Sequence, residues 1–74
     1  MSDKDKRILM YAFRYSLGRM TGAVDDVIST ILNNVDFFAS WELKSFIQEI
    51  KDYPNLNICR REWYTFIEKL EELI

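Results

Sequence analysis

Three groups of residues in this chain are of a type and spacing that could support chemistry. Two glycines, Gly18 and Gly22, stand four apart in RYSLGRMTG, residues 14–22. A single cysteine, Cys59, is followed by Arg60 and Arg61, and Asp25 and Asp26 are adjacent. The glycine pair lacks the lysine–serine/threonine ending and the preceding strand of a phosphate-binding loop. It reads instead as an architectural feature. One reading is a tight corner, with Gly18 in backbone angles that other residues resist. The other is a kinked continuous helix whose bare patch lets a neighbour pack closely. Arginines beside Cys59 would lower a thiol pKa, but the chain contains no histidine to complete a nucleophilic pair. An inert thiol is expected. Neighbouring carboxylates on a helix point about 100° apart, so Asp25 and Asp26 read as helix-start acids rather than metal ligands. The expectation is a protein that is not an enzyme and has no metal or cofactor.

Recognition surfaces are the alternative to catalysis. On a helical wheel Arg7, Tyr11, Arg14 and Gly18 share one stripe, with Tyr15 beside it and Arg19 following. Arginine and tyrosine combine large contact area with a polar tip, which suits a protein contact. The same residues can track a phosphate backbone with base stacking, or form a solvated face at the rim of a small core. A second surface lies near the C-terminus. Arg60 and Arg61 precede Glu68, Glu71 and Glu72 on one expected helix. This order opposes the helix dipole, and Glu68 and Glu72 repel at i, i+4. An antiparallel two-fold pairing would set the arginines of one copy against the glutamates of the other, giving a homodimer. The acidic patch could also imitate a nucleic-acid backbone towards a basic cleft.

Composition bounds these readings. Seventy-four residues make one domain, 1–74, with a thin stability margin. Hydrophobic residues make up 49% of the chain and aromatics 15%. That implies a tightly filled core or apolar surface held for a partner. The net charge of −2 argues against a nucleic-acid binder. Charge is uneven, because residues 1–20 hold five basic and two acidic side chains, whereas 21–74 hold five basic and ten acidic. One cysteine fits a reducing cytoplasm. No apolar run reaches the ~18 residues of a membrane span, and charges occupy the place of a leader's apolar region.

The elements that must carry these surfaces are helices. Leu9, Phe13, Leu17 and Met20 recur at helical spacing and predict a first helix over Asp3–Leu17. Val24, Val27, Ile28, Ile31 and Val35 predict a second over Gly22–Asn33, capped by Thr21. Ser40 should cap a third over Trp41–Tyr53, with Leu43, Phe46, Ile47 and Ile50 inward and Pro54 ending it. Asn57 should cap a fourth over Cys59–Leu73, with Trp63, Phe66, Ile67, Leu70 and Ile74 inward. The connections are short, so successive helices should be antiparallel or sharply angled neighbours. The fold class is all-α, a compact bundle of three to four short helices.

At RYSLGRMT (14–21) and REWYTFIEKL (61–70) the chain resembles a group of small, mostly uncharacterised helical proteins of phages and mobile elements. That group pairs an RYxLGRxT turn with a WxxF(I/L) C-terminal helix. Gly22 departs from the bulkier residue expected there, which leaves corner and kink both open. The resemblance implies a cytoplasmic accessory protein of an infected or lysogenic bacterium. In that setting such proteins bind host proteins, including defence nucleases such as CRISPR effectors. The resulting expectation is a non-enzymatic protein-binding accessory protein, an anti-CRISPR-like or host-enzyme inhibitor acting by occlusion. Its partner-binding residues would be Arg7, Tyr11, Arg14, Tyr15, Arg19, Glu68, Glu71 and Glu72. The alternative is a small helical DNA-binding regulator. Against it, helices two and three expose Asp25, Asp26, Glu42 and Glu49 where a recognition helix needs basic and amide side chains.

Overall fold

The computed structural model describes residues 1–18, 23–54, 56 and 60–74. It contains α1 (Asp3–Leu17), α2 (Ala23–Asn33), a short 3-10 turn (Val35–Phe37), α3 (Ser40–Asp52) and α4 (Arg60–Leu73). The all-α class is as expected. Thr21, Asn57 and Cys59, and the inward position assigned to Met20, lie outside the described residues.

The first and third helices start where local chemistry supplies partners for backbone N–H groups. Asp5 N–H donates to Ser2 Oγ at 3.1 Å, and Ser2 N–H reaches back to Asp5 Oδ2 at 3.5 Å. This reciprocal pair is a capping box. The third helix begins one residue earlier than expected, with Ala39 rather than Ser40 at the cap. Alanine has no oxygen to accept, so only half of a box forms. Glu42 Oε1 accepts from Ala39 N–H at 2.9 Å. At the other end, Tyr53 is extended (φ −72°, ψ 117°) and outside the helix, as the following Pro54 requires.

The apolar stripes meet in one interior. Phe13 of α1, Phe46 of α3, and Trp63 and Phe66 of α4 are essentially inaccessible to solvent. Their rings meet edge to face: Phe13–Phe46 at 4.8 Å and 71°, Phe13–Trp63 at 5.6 Å and 89°, Trp63–Phe66 at 6.2 Å and 63°. Such contacts are worth about 0.5–1.5 kcal/mol each beyond area burial. Val24, Val27 and Ile31 of α2 complete the interior. Two positions differ from expectation. The 3-10 turn, not foreseen in the periodicity, begins at Val35 just past α2, leaves that residue only partly buried, and folds Phe38 into the core against Phe46 at 5.3 Å. Ile74 lies beyond the last helical residue and is 46% exposed, so it does not belong to the buried stripe.

The helices pack up, down, up, down. The start of α1 (Asp5, Ile8) shares a groove with the end of α2 (Thr30), which makes that pair antiparallel. Lys44 of α3 likewise shares one with Glu71 of α4. Lys6 pairs with Glu42 and Arg14 with Glu49, so α1 and α3 advance together and run parallel.

Gly18 follows α1 with φ −97° and ψ 4°. These angles are ordinary for any residue, so the expectation of a conformation reserved to glycine is corrected. Its small size has another cause. A Cβ placed there would come 2.5 Å from Tyr53 Oη. The close approach joins the end of α1 to the end of α3. Gly22, on which the choice between corner and kink also depends, lies outside the described residues.

Candidate functional site

The outward face of α1 follows from the same periodicity that builds the core. With Phe13 at the centre of the buried stripe, residues 4, 8, 11 and 15 fall 140–180° away at 100° per residue. Ile8 is 57% exposed, Tyr11 70% and Tyr15 62%. They stand at i, i+3 and i+7, so a large aliphatic and two aromatic side chains form one seam on the side away from the core. Isolated exposed apolar residues are normal, but a line of them is not.

Among the expected site residues, Arg7, Tyr11 and Arg14 come together around a notch of about 100 Å³ floored by Met10. Arg14 is also tied inward, since its Nε donates to Glu49 Oε1 of α3 at 2.9 Å. Among the described residues Arg7 makes no ion pair. Arg19 lies outside the described residues. Glu68, Glu71 and Glu72 are exposed on α4 and do not join the α1 surface. Glu71 instead edges an open groove with Lys44, Ile47 and Ile74 between α3 and α4. Arg60 and Arg61 are exposed at the other end of α4, and none of these five charges has an ion-pair partner among the described residues.

Two aromatic residues escaped the sequence reading. Trp41, in the first turn of α3, is 71% exposed, and Phe37, four residues earlier at the end of the 3-10 segment, is 50% exposed. Trp41 lies about 140° from Phe46 on the wheel, and that angle was the available signal. Ile8 stands outside the arginine–tyrosine pattern, and its signal was the i, i+3, i+7 spacing of Ile8, Tyr11 and Tyr15.

Electrostatics on the α1–α3 side are structural. Lys6 Nζ donates to Glu42 Oε1 at 2.8 Å and lies 5.2 Å from the centre of the Phe38 ring. The Lys6 hydrogen bond holds the Glu42 carboxyl below its ordinary value, against the opposing effect of burial. Asp25 faces Arg61 and Lys69 across the α2–α4 groove. No cluster of three potential metal ligands occurs among the described residues. No helix among them is long and apolar enough to cross a membrane. Comparison with known proteins finds no matching family model, curated protein or solved structure.

Proposed function

We propose that this chain is a non-enzymatic protein-binding accessory protein. In the setting its sequence resembles, the cytoplasm of a phage-bearing bacterium, it would inhibit a defence system in the manner of an anti-CRISPR, or a host enzyme, by occlusion. One observation carries the reading: Ile8, Tyr11 and Tyr15 form an exposed seam opposite a core that is already filled. Tyrosine supplies large contact area at low entropic cost and is enriched at binding hot spots. The charges at the two ends of α4, which form no ion pair among the described residues, favour a second copy packed antiparallel on that helix, leaving both α1 seams outward.

The test is functional. The chain is expressed in bacteria carrying a CRISPR effector directed against an incoming plasmid or phage. The wild type should restore transformation or plaque formation, and a variant carrying Ile8→Ser and Tyr11→Ala should not, at equal abundance and helicity. Full interference in the presence of the wild type, across effector types, removes the anti-CRISPR reading. Equal activity of the double variant removes the α1 seam.

A further inference from the structure

We infer that the α1 seam receives an α-helix of a partner protein, one whose apolar stripe is flanked on one side by acidic side chains. The inference rests on the proposed binding function and adds the chemistry of the partner. Within α1, Lys4, Ile8, Tyr11 and Tyr15 are spaced four, three and four apart. A three–four alternation of this kind is the seam of a two-helix contact. Phe13 and Lys6 occupy the opposite side and face inward. α1 therefore carries two stripes, one filling its own core and one facing solvent.

Charge selects the occupant. One flank of the seam holds Arg7, which makes no ion pair among the described residues, and Arg14, whose Nε is bonded to Glu49, with the Met10–Tyr11 notch between them. The other flank holds Asp5 and, across the α2 groove, Asp26. A partner helix with glutamates along its arginine-facing edge would place carboxylates at the notch, where charge-assisted bonds form. A second copy of α1 fits poorly. Antiparallel pairing brings the two arginine flanks together, and parallel pairing sets Arg7 against Ala12, so neither arrangement supplies an acidic partner. A nucleic acid fits poorly because Asp5 and Asp26 repel phosphate along the other flank.

The probe is a fluorescein-labelled helical peptide with leucines at alternating three- and four-residue spacing, glutamates along one flank and glutamine elsewhere. Its counterpart carries lysine in place of glutamate, and a labelled DNA duplex is the third ligand. Anisotropy at low and high salt should show the glutamate peptide binding at least about tenfold more tightly than the lysine peptide, with the preference weakened by salt. Arg7→Glu should abolish or reverse that preference, and Tyr11→Ala should weaken both peptides, with unchanged circular dichroism. Equal affinity for the two peptides, no binding of the glutamate peptide, or tighter binding of DNA overturns the inference. Interference relieved by the wild type but not by the Ile8/Tyr11 variant, alongside failure of the glutamate peptide, would leave the binding function standing and remove only this partner chemistry.

Discussion

Lys6 and Glu42, thirty-six residues apart, meet through one oxygen. Glu42 Oε1 accepts from Lys6 Nζ at 2.8 Å and from Ala39 N–H at 2.9 Å. A single carboxylate thus caps α3 and fastens its first turn to α1. The pair is well shielded, with the Lys6 and Glu42 side chains 24% and 13% exposed.

Acid should loosen this joint. The Glu42 carboxyl titrates below its ordinary 4.5 in the folded chain, chiefly because Lys6 bonds the charged form. Its stabilisation is therefore complete above the unfolded value and is lost as pH falls through the folded one. Glu42→Gln should cost about 1–2 kcal/mol at neutral pH. Thermal midpoints measured against pH should show that cost shrinking below about pH 4.5. A constant difference across the acid range would contradict the assignment.

The second α1–α3 pair should contribute less. The Arg14 and Glu49 side chains are 52% and 31% exposed, and ion pairs open to water are worth about 0–1 kcal/mol. Arg14→Ala should lower unfolding free energy by no more than about 0.5 kcal/mol in urea titrations. Lys6→Ala should lower it by more.

Gly18 and Tyr53 should couple. Alanine suits the backbone angles at Gly18, so Gly18→Ala alone would stabilise by about 0.4–1 kcal/mol through the unfolded chain. With Tyr53 Oη 2.5 Å from the new Cβ, the tyrosine must swing away first. The substitution should stabilise less in the wild type than in a Tyr53→Ala background, because the exposed end of the tyrosine has to give way. An equal effect in both backgrounds would refute steric coupling.

The core aromatics should respond unequally. Phe13→Ala should cost about 3–5 kcal/mol, because Phe13 joins the α3 and α4 rings. Trp63 is fully buried, yet its Nε1 finds no hydrogen-bond partner among the described residues. Trp63→Phe removes that unsatisfied donor, worth about 1–3 kcal/mol, which offsets much of the lost packing. Its net cost should stay under about 1.5 kcal/mol, and denaturant midpoints decide the point. Fluorescence of Trp41→Phe should be blue-shifted, since the remaining indole is the buried one.

Self-association through α4 is checked by sedimentation. The proposed antiparallel arrangement would set Arg61 opposite Glu72 of a second copy. Charge reversal of either residue alone should weaken self-association, and reversing both should restore it. A wild-type monomer at high micromolar concentration would dismiss it.

The helical class, the inward stripes of Leu9–Phe13–Leu17, Val24–Val27–Ile31, Leu43–Phe46–Ile47–Ile50 and Trp63–Phe66–Ile67–Leu70, and the break at Pro54 could all be read from the linear chain. They depend on period 3.6 and on backbone sterics, both of which act over a few neighbouring residues. The pairing of Lys6 with Glu42, the inward tie of Arg14 to Glu49, the burial of Phe38 and the exposure of Trp41 could not. Each depends on which helices lie side by side and in which direction they run. The same applies to Gly18, whose lack of a side chain leaves room for Tyr53 thirty-five positions away and is not required by its own backbone angles. Local spacing says which side of a helix is greasy. Packing the four helices around one crowded aromatic centre determines which charges are used up in holding them together and which side chains remain outside to meet a partner.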